Sequence, residues 1–146
     1  MPSLTLGTGP AGPLINVLIG PSVPLQGAML AAGQTAPKPV SGTFLVDTGA
    51  SHTVADTRLI SQLGLNPTGT VMIHTPSTGA QAVPMYQYDL MLFVPGHQQG
   101  GWLIDALAVT ESSFAGQQID GLIGRDVIDR GLLVYNGQAG HFTLCY

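Results

Sequence analysis

The sequence predicts an all-β fold with one or two short helices, and three observations support this class. Short apolar or alternating stretches recur along the chain, separated by turn residues that include many of its 20 glycines and 11 prolines. Only 8% of the residues are charged although 45% are apolar, so Gly, Pro, Ser, Thr and Gln must cover much of the surface. A turn-rich β protein accommodates such a surface better than a helical one.

The length and charge of the chain restrict its organisation and its partners. The 146 residues contain neither an internal repeat nor a linker, which predicts one domain over residues 1–146 with a single core. A net charge of -4 without a basic cluster argues against nucleic acid as a partner. We expect no membrane segment here, and cytoplasmic and periplasmic locations both stay open.

The first third of the chain predicts strands that lead to a polar turn. Residues 3–6 and 14–19 have strand patterns bounded by Gly and Pro. Residues 20–41 are rich in Pro, Gly, Ala and Gln, and we interpret them as an inserted surface loop. Residues 43–46 then form an apolar strand that continues directly into the turn at residues 47–51.

A helix and a hairpin follow this turn. Asp56 is a suitable N-cap for a helix over residues 57–63, and Gly64 stands where a helix C-terminal glycine is common. Residues 70–75 and 82–94 predict two strands around a turn sequence, Pro-Ser-Thr-Gly. Such a hairpin has the length to act as a lid.

The last third predicts further strands and a second copy of the strand, turn and helix plan. Residues 102–109, 132–135 and 141–146 have strand patterns. An apolar strand, a Gly-containing turn and a short helix occur at residues 44–63 and again at residues 122–130. The two halves of the chain therefore share a plan.

The Asp47-Thr48-Gly49 triplet is weak evidence by itself, because Asp and Gly are common in turns. Its context makes it specific. The triplet follows the apolar run 44–46. A second motif occurs later in the chain, where the apolar-apolar-Gly segment 122–124 is followed by Arg125 and Asp126.

With this context, residues 44–51 resemble the catalytic loop of pepsin-like and retroviral aspartic proteases, and residues 121–128 resemble the second-half motif of the retroviral form. The sequence is identified as a retropepsin-like aspartic protease, a bacterial or cellular single-domain member. The resemblance covers roughly residues 43–146. It implies a closed β-barrel with a flap hairpin, acting as a homodimer on peptide or protein substrates without a cofactor.

The resemblance also assigns roles to residues of both motifs and of the hairpin. It implies that Asp47 is the catalytic carboxylate, that Thr48 holds the opposite subunit's loop, and that Gly49 lets the substrate backbone approach. The implied substrate-binding residues are Ala50, Ser51, His52, Ser77, Thr78, Gly79 and Ile123. The implied structural motif behind the catalytic loop is Leu122, Ile123, Gly124 and Arg125.

The chemistry explains why the family needs two carboxyl groups. Hydrolysis of an amide without a metal requires a carboxylate that takes a proton from water and a carboxylic acid that polarises the carbonyl. Two Asp side chains within ~3 Å share one proton, as aspartic proteases illustrate. This chain has one triplet, at Asp47, so a second copy in a twofold homodimer would supply the other.

The sequence departs from the viral pattern beside the triplet. Viral members usually continue with Ala and two acidic residues, whereas this chain has Ala50, Ser51 and His52. The viral partner of Arg125 is therefore missing, and Asp56, Asp126 or the chain terminus are the candidates to replace it. In viral members the terminal strands interleave between subunits, and residues 142–146 alternate suitably for that role.

Other readings of the sequence are weaker. The four histidines lack metal-ligand spacing and Cys145 has no second cysteine, so we expect no metal site. Capping or surface roles explain Asp120 and Asp126.

The main functional alternative is a non-catalytic, dimeric peptide-binding domain of the same fold. A generic β-barrel binding module, in which the triplet is only a turn, is the other.

Overall fold

The computed structural model describes residues 1–97 and 100–146, and these residues are mostly β. They contain ten strands: β1 Ser3–Gly7, β2 Leu14–Pro21, β3 Val40–Val46, β4 Val54–Asp56, β5 Gly69–Ile73, β6 Val83–Val94, β7 Trp102–Ser112, β8 Gly121–Ile123, β9 Leu132–Asn136 and β10 His141–Cys145. They also contain three short helices: α1 Val23–Ala31, α2 Thr57–Leu63 and α3 Arg125–Ile128.

Six strands form a closed barrel in the order β2-β3-β8-β4-β7-β6. The barrel closes because β2 also pairs antiparallel with β6, through the partners Leu18–Phe93 to Pro21–Leu90. The β5 strand is added outside this ring, as the second arm of a hairpin with β6. The predicted closed barrel with few short helices is thus confirmed.

The core fills the inside of the barrel. Along β2, Ile15, Val17 and Ile19 are all almost fully buried, while the residues between them point outward. This alternation is what a strand with one buried face requires. Phe44 on β3 and Leu92 on β6 are completely buried beside them.

The chain termini pair with each other in a separate three-stranded sheet of order β1-β10-β9. Residue pairs run from Ser3–Cys145 to Gly7–His141, and β9 occupies the other edge of β10. Both edges of β10 are therefore used within one chain. An interleaved sheet between subunits would have to use the free edges of β1 or β9 instead.

The helix predicted over residues 57–63 is confirmed as α2, with both predicted caps. The Asp56 side chain accepts a hydrogen bond from the Arg58 backbone N–H at 2.7 Å. Gly64 ends the helix with a φ of 60°, a left-handed conformation that glycine adopts without strain. Local capping chemistry was enough to locate this helix.

The interpretation of residues 20–41 as a loop is wrong for the part that forms α1. Ser22 caps this helix by accepting a hydrogen bond from the Leu25 backbone N–H at 3.2 Å, and a proline lies in its first turn. No residue of α1 is buried. Without a buried face the helix has no apolar periodicity, so the sequence pattern did not reveal it. The helix itself lies at the surface, whereas Gly20, Pro21 and Ser22 before it are buried.

Candidate active site

The two motifs of the sequence, at residues 44–51 and 121–128, meet at the end of a parallel strand pair. Strand β3 runs parallel to β8, with Phe44 beside Gly121 and Val46 beside Ile123. The Asp47 backbone N–H then donates to the Ile123 carbonyl at 2.9 Å. This contact holds the turn after β3 against the second motif.

Glycine is required at two points where these segments touch. A Cβ on Gly121 would lie 2.5 Å from a ring carbon of Phe44. A Cβ on Gly124 would lie 2.5 Å from the backbone carbonyl carbon of His52. Both distances are shorter than atoms tolerate, so a larger residue would push the motifs apart.

The Asp47 turn positions its own carboxylate. Oδ1 of Asp47 accepts a hydrogen bond from the Gly49 backbone N–H at 2.8 Å, and the Ala50 N–H donates to the Asp47 carbonyl at 3.2 Å. A Cβ on Gly49 would lie 3.1 Å from Oδ1 and would crowd it. The half-buried carboxylate is thus fixed by one oxygen, and Oδ2 has no partner among residues 1–97 and 100–146.

Arg125 supports the same turn through backbone groups. Its N–H donates to the Ala50 carbonyl at 2.9 Å, and its Nη1 donates to the Thr48 carbonyl at 2.8 Å. The three candidate partners suggested by the sequence are therefore wrong in this chain. Two of them are engaged elsewhere, because Asp56 caps α2 and Asp126 binds Thr53.

A buried threonine, which the sequence analysis missed, joins the loop to α3. The Thr53 N–H donates to Asp126 Oδ2 at 2.9 Å, and its hydroxyl donates to Asp126 Oδ1 at 2.8 Å. The Thr53 hydroxyl oxygen also accepts a hydrogen bond from the Gly124 backbone N–H at 3.2 Å. Thr53 is completely buried, so these bonds are shielded from water. The capping role expected for Asp126 is wrong, because Gly124 is the N-cap of α3 and no side chain in the described part of the chain caps this helix. The Asp126 carboxylate instead has a structural role inside the site, through Thr53.

A cleft of about 410 Å³ opens beside the Asp47 carboxylate. The Asp47 turn forms one side of the cleft, and the loop end of the β5–β6 hairpin, just after the last residue of β5, forms another. The lining residues are Asp47, Gly49, Ala50, Ser51, His52, Val54, Ile73, His74, Thr75, Pro76 and Leu122. Asp47 is the one acidic side chain among them.

The predicted substrate-binding residues divide into three groups. Ala50, Ser51 and His52 line the cleft. Ile123 does not: it is 2% exposed and faces the core, whereas Leu122 lines the cleft, since successive strand residues point to opposite faces.

The third group, Ser77, Thr78 and Gly79, forms the hairpin tip and does not line the cleft. The tip is a hydrogen-bonded turn: the Thr78 N–H donates to the Thr75 carbonyl at 3.0 Å, and the Thr75 N–H donates to the Thr78 hydroxyl at 2.9 Å. Gly79 adopts a φ of 64°. The hairpin itself is confirmed.

The described residues contain no group of three or more His, Cys, Asp or Glu side chains placed to hold a metal ion. Within the same residues, no helix has the length and apolar character needed to cross a membrane.

Comparisons with known proteins agree with this architecture. A family model described as aspartyl protease matches residues 32–127, more than half of the chain. The crystal structure of a retropepsin-like aspartic protease from Rickettsia conorii is similar with a TM-score of 0.61 and 15% identity, covering 99% of this chain and 90% of that one. At this identity the structural likeness concerns the fold alone. A comparison with curated proteins found no match. The chain therefore belongs to the aspartyl protease family and has the retropepsin-like fold.

Proposed function

We propose that this aspartic protease is an endopeptidase whose catalytic dyad consists of two Asp47 side chains, one from each subunit of a homodimer. The observation that carries the proposal is the composition of the cleft, where Asp47 is the one carboxylate among the lining residues. One chain therefore supplies half of the pair that metal-free amide hydrolysis needs. A second copy related by a twofold axis would supply the other half.

In the proposed reaction, the ionised Asp47 takes a proton from a water molecule, and the water oxygen attacks the carbonyl carbon of the substrate. The protonated Asp47 of the other subunit donates its proton to the carbonyl oxygen, which gives a tetrahedral diol. Asp47 then gives its proton to the amide nitrogen while the Asp47 carboxylate of the other subunit takes a proton from a diol hydroxyl. The C–N bond breaks, the carboxylic acid and amine products leave, and one proton again remains on the pair. The Gly49 N–H keeps the Asp47 carboxylate oriented during these steps.

The substrate fits this site best as an extended peptide. Strand β5 ends its sheet and pairs with β6 alone among the described strands, so its other edge offers free backbone groups beside the cleft. A peptide can add to such an edge as a further strand. The apolar walls at Val54, Ile73 and Leu122 suit an apolar side chain elsewhere in the same peptide.

The residues next to Asp47 take supporting roles in this proposal. Thr48 is exposed, so its side chain is available to hold the loop of the other subunit. Arg125 fixes the backbone of the same turn from behind.

Cleavage of a mixed peptide library between about pH 4 and pH 7 tests the proposal, because a carboxylate pair works while it shares a proton. We expect cleavage by the wild type, none by Asp47→Asn, and normal cleavage by Asp105→Asn, a matched change at an exposed aspartate outside the cleft. Specific activity should rise with protein concentration as dimers form. Peptide binding without cleavage would instead favour the non-catalytic alternative.

A further inference from the structure

We infer that His52 and His74 make the cleft selective for substrates that carry an acidic side chain next to the cleaved bond. This inference rests on the proposed endopeptidase function and adds the substrate class to it. It is carried by two imidazoles that reach the same cleft from separate elements, one from the end of the Asp47 turn and one from the hairpin.

The backbone of His52 is held in place by its neighbour Thr53 and by the second motif. Thr53, the next residue, is buried and bonded to Asp126, while Gly124 packs directly against the His52 backbone. The ring itself is oriented by Ser51, whose hydroxyl lies 3.0 Å from His52 Nδ1. When the ring is an imidazolium, Nδ1 can donate to Ser51 and Nε2–H remains for a ligand.

His74 approaches from the hairpin. It directly follows Ile73, the last residue of β5, and precedes the turn that the Thr75–Thr78 hydrogen bonds hold in shape. Its side chain is exposed and lines the cleft. A substrate lying between the turn and the hairpin would therefore meet a histidine on each side.

The charges around the two histidines favour an acidic ligand. Asp47, His52 and His74 are the titratable side chains that line the cleft, and the remaining lining residues are uncharged. Two charged groups lie just behind the cleft and are already engaged: Arg125 with the Thr48 carbonyl, and Asp126 with Thr53. An imidazolium donates N–H groups and attracts a carboxylate, so two histidines in a cleft with one Asp side chain per subunit favour an acidic ligand.

A pair of peptides that differ only by Glu or Gln beside the cleaved bond tests the inference. For the wild type at about pH 5 we expect kcat/KM to be about five- to tenfold higher for the Glu peptide, the size of exposed ion pairs acting together. The preference should fall below about twofold in the variant with both His52→Gln and His74→Gln, which keeps hydrogen-bonding capacity but removes both imidazoles. His97→Gln, beyond the far end of β6, is the control and should keep the wild-type ratio.

Two results would overturn the inference: equal kcat/KM for both peptides in the wild type, or an unchanged preference in the double histidine variant. Either one, with Asp47-dependent cleavage intact, leaves the proposed function standing. Binding of the same two peptides to the Asp47→Asn variant tests the inference even if the proposed function is wrong. If the wild type cleaves nothing, tighter histidine-dependent binding of the Glu peptide sustains the inference and rejects the proposed function, whereas equal binding of both peptides rejects the inference as well.

Discussion

Each half of the chain carries an aspartate close to the end of an apolar strand, and the two aspartates make different contacts. In each half an apolar strand leads into a Gly-containing turn and a short helix, through β3 and α2 in the first and through β8 and α3 in the second. The Asp47 carboxylate in the first half has one oxygen bonded within its turn and opens onto the cleft. The Asp126 carboxylate in the second half has both oxygens bonded to Thr53.

This difference indicates that Asp47 serves the reaction and that Asp126 serves the structure. A carboxylate with a free oxygen in a cleft can exchange protons with a ligand, whereas one with both oxygens occupied by a buried residue can only hold structure. We therefore expect changes in the first half to affect activity, and changes in the second half to affect stability first.

Exchanging each aspartate for asparagine should produce the largest contrast. Asp47→Asn should lower kcat by about 10³-fold or more, because it removes a proton acceptor from the dyad, and should leave stability nearly unchanged. Asp126→Asn keeps one acceptor oxygen for two Thr53 donors, so it should lower the free energy of unfolding by about 1–3 kcal/mol. Peptide cleavage and urea unfolding of both variants provide the comparison. Equal losses of activity in both variants, with stability unchanged in both, would contradict these separate roles.

Gly124→Ala should disturb the contact between the two halves, and should therefore affect both stability and activity. The new Cβ would meet the His52 backbone at 2.5 Å, so the second motif must move away from the turn. We expect a loss of about 1–3 kcal/mol of stability, together with weaker peptide cleavage. Gly27→Ala in α1 is the control: nothing lies within 4 Å of its added Cβ, and alanine suits a helix. Unchanged stability of Gly124→Ala would show that the contact is not tight.

The smallest effect concerns Tyr88 on β6, which bonds neither of the two aspartates. Burial, together with the nearby Glu111 that accepts its hydrogen bond at 2.9 Å, raises the pKa of Tyr88 to about 12. The folded state thus holds this proton more tightly than the unfolded chain. The contribution is present below about pH 10 and is lost as the pH rises toward about 12.

Unfolding of Tyr88→Phe as a function of pH measures this contribution. The variant should lose about 1 kcal/mol at neutral pH with the hydrogen bond and should show a shallower decline above about pH 10. Tyr135→Phe, at an exposed tyrosine, should behave as the wild type does. Identical alkaline declines in all three proteins would contradict the assignment.

Sequence reasoning succeeded where local chemistry decides the structure. Asp56 and Gly64 marked the ends of α2, because caps act within one turn. The alternation of Ile15, Val17 and Ile19 marked β2 for the same local reason. The Asp47 turn was recognisable because its residue types serve both backbone geometry and chemistry.

Features that depend on distant contacts were not predictable in this way. The Thr53–Asp126 pair joins residues 73 positions apart, and the closure of the barrel joins β2 to β6. Strand β4 is three residues long, too short to show a period. Arg125 binds a carbonyl instead of a carboxylate, and no local pattern marks a backbone acceptor.

Mixing subunits tests the proposed dyad most directly. Wild-type protein is combined with increasing amounts of Asp47→Asn at a fixed total concentration, high enough for association, and peptide cleavage is measured after the subunits have exchanged. Because a mixed dimer has one Asp47 instead of two, activity should fall with the square of the wild-type fraction, to about one quarter in an equal mixture. A linear fall, to about one half in that mixture, would show that each chain acts alone and would contradict the shared dyad.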